Sequence, residues 1–431
     1  MQKKALVVGL GVSGKSALMF LKHLGFEVVC FDVKESLGLF EGSLVFSSIE
    51  PLLNFSFSLV VLSPGVSLEH PLVQHFLLQG VEVIGEAELA FSHFKGKAVA
   101  ITGTNGKTTV TLLVEHVLKT SGRKAKALGN VGEPLAECLL REDPEEIIVA
   151  ELSSYQLETL KTPVFTAAVI LNITPDHLDR YQNMLAYASA KARLQHCVAE
   201  GGAFYVFEEV IDEFSELFST SFYSIGTRNS SFLQVEEHVI CSLGEPIFTL
   251  PCEYKKLGKH DRLNALAAWA LCSCLGVTQD EFLFALKSFK KPAHRIEFVA
   301  TIDGVDFYDD SKGTNVDAVI KSVLTMKGPV VLIAGGVDKG SSYLPWKDSF
   351  KDKVKAIFVL GEASKKIEKE LSLFFNVKIV DSLGEAVQKA KELACEGDSV
   401  LLSPGCSSFD MFRDYAHRGN EFQKFVREGK G

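Results

Sequence analysis

Residues Ala98 to Thr111 read AVAITGTNGKTTVT. Four strand-forming residues, Ala98 to Ile101, run into a loop of small residues. Lys107, Thr108 and Thr109 follow, then an apolar helical pattern through Leu112, Leu113 and Val117. This order predicts a strand, a phosphate loop and a helix N-terminus. Backbone N–H groups of Gly103, Thr104, Asn105 and Gly106 would wrap an anion. Lys107 would meet the terminal phosphates and the Thr108 hydroxyl would ligate Mg²⁺. The spacing departs from G-x-x-x-x-G-K, which would need glycine at Ile101. A nucleoside triphosphate is the expected ligand.

A second anion-binding pattern stands near the start. Lys4 to Val8 reads as a buried strand, Gly9-Leu10-Gly11-Val12-Ser13-Gly14 as a turn into a helix, and Glu27 to Phe31 as a strand ending at Asp32. Glycines at this spacing with an acid about twenty residues on form the dinucleotide fingerprint. Physically it provides a helix N-terminus for a pyrophosphate and a carboxylate for a ribose hydroxyl. A nucleoside-diphosphate sugar offers the same groups as NAD, so both stay open here.

Further candidates sit at strand ends. Ile147 to Ala150 is an apolar strand ending at Glu151, where a carboxylate beside a phosphate loop would hold Mg²⁺. Ala167 to Leu171 leads to Asn172-Ile173-Thr174-Pro175-Asp176-His177, and the polar setting of His177 favours a ligand over a core residue. Lys191 lies on a helix expected over 184–197, and nothing in its pattern alone marks it. In the last third, apolar strands end in Asp309-Asp310-Ser311-Lys312-Gly313-Thr314, in Gly335-Gly336-Val337-Asp338-Lys339-Gly340 and in Ser403-Pro404-Gly405-Cys406-Ser407-Ser408.

These sites need strands alternating with helices, hence parallel sheets with ligands at the strand C-termini. The fold class is α/β in three domains: an N-terminal Rossmann-like domain over 1–93, a central P-loop ATPase-like domain over 94–291 and a C-terminal Rossmann-like domain over 292–431. Composition agrees. The 431 residues are 47% hydrophobic and 23% charged, which suits folded domains with large cores. A net charge of −9 without a basic block argues against nucleic acid as a partner. Nine cysteines without a C-x-x-C suggest reduced thiols rather than zinc or disulfides. The apolar run after Lys3-Lys4 is broken at Gly9, too early for a signal sequence, and Asn54, Pro64 and Gly65 interrupt the uncharged stretch 52–68. A cytoplasmic protein without a membrane partner is expected.

TGTNGKTT, GNVGEP, ELSSYQLE, NITPDHLDR, YASAKARL, KHDRLNALAA, PAHRIE, DSKGTN, GGVDKG and LLSPGCSSFDMFRDYAHRGNEF together resemble the Mur ligases, over nearly the whole chain. DSKGTN, PAHRIE and GLGVSG with LSPG point to the D-glutamate-adding branch, since the alanine-adding branch carries a DDYAHHP-like motif at the DDSKGTN position. The resemblance implies ATP-dependent joining of D-glutamate to UDP-N-acetylmuramoyl-L-alanine through an acyl phosphate. It implies ATP and two Mg²⁺ ions as cofactors, and a monomeric enzyme acting on small molecules.

Residue by residue, the resemblance assigns Lys107, Thr108 and Thr109 to the phosphates, and Thr108, Glu151, His177 and Lys191 to the metal site, with Lys191 carbamylated. Lys107, Glu151, His177 and Lys191 would be the catalytic set. Asn264, Arg295 and Asp310 would touch ATP. Val12, Ser13, Asp32, Lys34, Ser63, Gly65, Asn130 and Ser153 would hold the UDP-sugar. His177, Lys312, Thr314, Lys339, Ser408 and Tyr415 would hold D-glutamate. Three positions depart from the family pattern: Lys34 for arginine, Tyr415 for phenylalanine and Gly313 for alanine. A folylpolyglutamate synthase, an NAD-dependent oxidoreductase fused to an ATPase, and a non-catalytic nucleotide sensor are the competing expectations.

Overall fold

A computed structural model describes residues 3–34, 38–141, 143 and 145–428. Apolar runs four to six residues long become strands buried on both faces, as parallel sheets covered by helices require. In the first sheet β1 (Lys4–Val8), β2 (Glu27–Phe31), β3 (Gly38–Phe40), β4 (Ser43–Phe46), β5 (Leu59–Leu62) and β6 (Glu82–Gly85) stand in the order β3-β4-β2-β1-β5-β6. All pairs are parallel except the β3–β4 hairpin. The chain leaves β1 to one side and returns on the other, so the switch point lies at the end of β1, where the glycine turn is.

The second sheet contains β7 (Ala98–Thr102), β8 (Ala125–Gly129), β9 (Ile147–Glu151), β10 (Phe165–Ile170), β11 (Val198–Phe207), β12 (Tyr223–Gly226), β13 (Leu233–Glu236), β14 (Val239–Ser242) and β15 (Glu245–Thr249). Its order is β15-β14-β13-β12-β11-β10-β7-β9-β8. β7 lies between β9 and β10, again a switch point, and the phosphate loop leaves from its C-terminal end. The stretch 201–240, weakly patterned in sequence and expected to hold short strands and polar turns, supplies most of β11, all of β12 and β13 and the start of β14, and β15 is the edge.

The third sheet contains β16 (Glu297–Ile302), β17 (Val305–Asp309), β18 (Val330–Gly335), β19 (Val354–Leu360), β20 (Val377–Ile379) and β21 (Ser399–Leu402), in the order β16-β17-β21-β18-β19-β20. One face packs on Trp346, Phe350 and Tyr343, the other on Phe422, Val426 and Leu383. The β16–β17 hairpin turns at Asp303-Gly304, both with positive φ, as its strand twist demands. Insertion of β21 between β17 and β18 brings the loops after β17, β18 and β21 to one end of the sheet.

The helix expected over 184–197 ends earlier: Met184–Ala192 is α-helical and Arg193–Cys197 continues as a 3₁₀ helix. By internal contacts the chain forms two compact units. Residues 1–172 with 188–289 make the first, and residues 173–187 with 290–431 make the second. The His177 segment therefore groups with the third sheet. No described helix is long and apolar enough to cross a membrane.

Candidate active site

In the first unit the phosphate loop joins β7 to the helix Lys107–Thr120. Gly106 caps that helix with φ +88, and a Cβ there would lie 2.8 Å from Asn264 Oδ1. Only glycine meets both conditions. Asn264 is thus beside the loop. Asn172 braces the loop from the end of β10. Its carbonyl and side-chain oxygens accept from Thr104 N and Asn105 N, both at 2.8 Å. Those two N–H groups, expected to wrap an anion, are engaged within the protein. Thr108 and Thr109 are buried in the first helical turn.

Lys107 Nζ donates to Gly103 O at 2.8 Å and Thr104 O at 2.9 Å, and Lys191 Nζ donates to Gly103 O at 2.9 Å. Lys191 is 1% exposed. Burying an ammonium is costly unless polar groups receive it, so this lysine is a built feature and not a solvated one.

Glu151 ends β9 and is also 1% exposed. Asn130 binds it twice, Nδ2 donating to Oε1 at 2.8 Å and N to the backbone carbonyl at 2.9 Å. Glu151 Oε2 is buried without a hydrogen-bond partner. A buried carboxylate oxygen without a partner, on the strand paired with β7 where the phosphate loop begins, fits a hard divalent cation, which takes oxygen ligands. Ser153 caps the helix Ser154–Leu157 in a capping box with Gln156.

In the first sheet Gly14 closes the glycine turn onto β1: a Cβ there would lie 1.8 Å from Gly9 O. Asp32 is spent largely on backbone, Oδ2 accepting from Leu10 N at 2.6 Å and Oδ1 from Lys34 N at 2.8 Å. Ser63 Oγ donates to Gly9 O at 2.8 Å, tying the Ser63-Pro64-Gly65 turn to the glycine turn. Val12 and Ser13 open the following helix, and Val12, Lys34 and Gly65 are exposed.

The second unit gathers the other assigned residues. Asp310 is buried, accepts from Ser322 Oγ at 2.6 Å and Ser403 Oγ at 2.7 Å, and burial pushes its carboxyl up to about 6. Arg295 acts on it electrostatically. Lys312 Nζ stands 4.0 Å over the Tyr415 ring, a cation–π contact. Lys339 Nζ donates to Asp176 Oδ1 at 3.0 Å, and the His177 backbone N–H donates to the same oxygen at 2.9 Å. Thr314 follows Lys312 on the loop, and Ser408 is buried after β21.

Several residues that position these groups escaped the sequence reading. Arg418 is 3% exposed and donates to Ser311 Oγ, Ser311 O, Cys406 O and Ser407 O. It binds the Lys312 loop to the Ser408 loop, and burial pushes its guanidinium down to about 10. His294 Nδ1 lies 2.7 Å from Asp309 Oδ2, a bond that holds the imidazole above its ordinary value. Both lie inside motifs quoted above, His294 in PAHRIE and Arg418 in LLSPGCSSFDMFRDYAHRGNEF, but received no role there.

Family models match along the chain: the MurD-like N-terminal domain over residues 3–85, the Mur ligase middle domain over 101–272, and the Mur ligase glutamate ligase domain over 294–406. A curated relative from Protochlamydia amoebophila, named UDP-N-acetylmuramoylalanine--D-glutamate ligase, is 46% identical over 99% of this chain and 98% of its own. This chain belongs to the Mur ligase family. A relative of the same name from Caldanaerobacter subterraneus is 38% identical over the same shares. Among solved structures, a UDP-N-acetylmuramate-alanine ligase, MurC, from Thermotoga maritima aligns over 100% of both chains with a TM-score of 0.62 and 20% identity. MurF ligase from Thermotoga maritima in complex with ADP aligns over 99% of this chain and 96% of that one, at 0.62 and 15%. These two share the Mur ligase fold with three α/β sheets. The family is ATP-dependent.

Proposed function

We propose that this chain joins D-glutamate to UDP-N-acetylmuramoyl-L-alanine at the expense of ATP, in the cytoplasmic synthesis of peptidoglycan precursors. Full-length relatives carrying that name support the reading. The observation that carries the chemistry is the pairing of Lys107 and Lys191 at Gly103 O with the open Glu151 Oε2 on the neighbouring strand. An NAD-dependent oxidoreductase needs neither.

The substrate carboxylate oxygen attacks the γ-phosphorus, the bond to the β-phosphate oxygen breaks, and ADP leaves an acyl phosphate. The D-glutamate amine, once it has lost a proton, attacks the acyl carbon through a tetrahedral intermediate and phosphate departs. Both steps bring anions together, so fixed positive charge is the main catalytic demand. Lys107 neutralises the terminal phosphates, and the helix Lys107–Thr120 directs its N-terminus at them. By the family resemblance Thr108, Glu151, His177 and Lys191 would hold Mg²⁺, which would supply further neutralisation when bound. Lys191 as a carbamate would become an oxygen donor for a metal.

Asn264, Arg295 and Asp310 hold ATP. Lys312, Thr314, Lys339, Ser408 and Tyr415, with His177, hold D-glutamate, two cations meeting two carboxylates. Val12, Ser13, Asp32, Lys34, Ser63, Gly65, Asn130 and Ser153 hold the UDP-sugar. Domain boundaries near 93 and 291, and a monomeric enzyme, complete the reading.

The test is phosphate release from ATP with UDP-N-acetylmuramoyl-L-alanine, comparing D-glutamate, L-glutamate, L-alanine and no amino acid. Release that requires D-glutamate is expected. Release with another amino acid moves the assignment within the family, and none with any of them overturns it.

A further inference from the structure

Asp338 stands beside Lys339 in GGVDKG, on the loop after β18, and has no part in the reading above. An acid at this point opposes the assigned ligand. D-glutamate brings two carboxylates, and like charges at close range repel. Asp338 is nevertheless fixed between the loops that would receive them. Its Oδ1 accepts from Tyr343 Oη at 3.1 Å, and the same hydroxyl lies 3.0 Å from Cys406 Sγ. Next to it, Val337 N donates to Ser407 O at 2.9 Å. The Asp338 carboxylate therefore lies where the Lys339 loop meets the Ser408 loop.

The helix Ser364–Leu371 supplies the compensation. It follows β19 and turns one face to the loop. Just before it, Ala363 N donates to Gly336 O at 2.8 Å. Three residues on, Lys366 Nζ donates to Asp338 Oδ2 and to Ser341 O, both at 2.8 Å. Four residues further, Glu370 Oε2 accepts from Ser342 Oγ at 2.9 Å and from Tyr343 N at 2.6 Å. Positions 366 and 370 are neighbours on one helix face, so both reach the same loop. The Lys366 and Asp338 side chains are 33% and 24% exposed, so salt screens this pair less than a surface one. Lys339 turns to a different acid, Asp176.

We propose that Lys366 is a positioning residue of the D-glutamate site. It cancels the Asp338 charge and draws that carboxylate to the helix, so that Lys339 receives the substrate without a competing anion beside it. The inference rests on the assignment of Lys339 and Ser408 to D-glutamate. Two other acids border the loop. Glu370 accepts from the neutral donors named above, and Asp410 Oδ2 accepts from Glu362 N at 3.0 Å beside Gly361. Both keep their charge whatever stands at 338 or 366, so they drop out of a comparison between variants of that pair.

The test is the KM for D-glutamate, measured by phosphate release from the full chain. Lys366→Met leaves Asp338 uncompensated and should raise KM at least about threefold, the scale of a partly screened charge. Its kcat should stay within about twofold, since ground state and transition state lose the same binding. Lys366→Arg keeps the charge and has donors for both acceptors, so its KM should stay within about twofold of the parent. The deciding variant is Lys366→Met with Asp338→Asn. It removes the stray charge but leaves the loop unclamped, and should recover most of the lost affinity, whereas a merely structural Lys366 gives no recovery. A smaller rise in Lys366→Met, a Lys366→Arg that behaves like it, or no recovery in the double variant overturns the proposal. If Lys366→Met does not fold by circular dichroism, Lys366→Gln takes its place. A parent enzyme whose phosphate release does not require D-glutamate overturns the substrate assignment and this proposal with it. A parent that requires D-glutamate, with KM unaltered in Lys366→Met, overturns this proposal alone.

Discussion

The ammonium groups of Lys107 and Lys191 donate to one acceptor, the carbonyl oxygen of Gly103, at 2.8 and 2.9 Å. They come from positions 84 residues apart in sequence, the difference between 191 and 107. Two like charges at one carbonyl repel, so the arrangement costs free energy, and carbamylation of Lys191 would remove one of the two charges. Lys107→Ala should lower kcat by at least about 100-fold, the scale of losing one preorganised charge. UDP-substrate affinity by calorimetry should change less than about twofold. Lys191→Ala should be inactive and partly rescued by short carboxylates. A ¹³C-bicarbonate spectrum with no carbamate signal in active enzyme would refute the carbamate.

Asn130 binds Glu151 through both side chain and backbone. Asn130→Ala should let the carboxylate rotate and raise the Mg²⁺ concentration for half-maximal phosphate release about 10- to 100-fold, as for other residues that orient metal ligands. An unchanged Mg²⁺ requirement would confine Asn130 to substrate contact.

Arg418 holds two loops by donating only to neutral oxygens. Arg418→Ala leaves those buried acceptors unpaired and should cost about 2–4 kcal/mol of stability in urea denaturation. Arg418→Lys cannot span the same acceptors. It should raise KM for D-glutamate, because the loops it joins carry Lys312 and Ser408.

Glu86 opens the helix Glu86–Phe91, accepts from Ala136 N at 2.6 Å, and keeps Oε2 buried without a partner. Burial pushes its carboxyl up to about 7 from an ordinary value of 4.5. Between those values the folded chain keeps a proton that the unfolded chain has lost. Its contribution to stability is therefore full below about 4.5 and is lost as pH rises to about 7. Glu86→Gln stays neutral throughout. Its stability relative to the parent should climb across that window by on the order of 3 kcal/mol and stay level above it. Melting temperatures of both proteins from pH 4 to 8 check this, and a constant difference would refute it.

The Tyr415 ring lies under Lys312 and its hydroxyl is not part of that contact. Tyr415→Phe should therefore keep KM for D-glutamate within about twofold. Tyr415→Ala should raise it about 3- to 30-fold, the range of a partly desolvated cation–π contact. Equal effects of both changes would place the hydroxyl on the substrate.

The strands were legible because each sheet core is written as a short apolar run ending in small or polar residues. Ile147 to Ala150 with Glu151, and Ala98 to Ile101 with the phosphate loop, show the rule, and neither strand needs distant information to be recognised. The hairpin β3–β4 and the edge strand β15 were missed, and the short strands expected within 201–240 were not placed one by one, since strands near a sheet edge carry mixed polarity and lack the signal of double burial.

The sequence by itself determined the parallel α/β class, the loops that carry phosphate-binding chemistry, and, through motif resemblance, the family. These are local properties: backbone turns need glycine, and strand ends need the right neighbours within a few residues. Tertiary structure alone decided which of those loops share a site. It put Lys191 on the same carbonyl as Lys107, left Glu151 Oε2 dry and open, assigned Asp32 to backbone N–H groups, and grouped the Asp176–His177 segment with Lys339. Such contacts depend on strand order, and strand order is set by how sheets and helices pack across the whole chain.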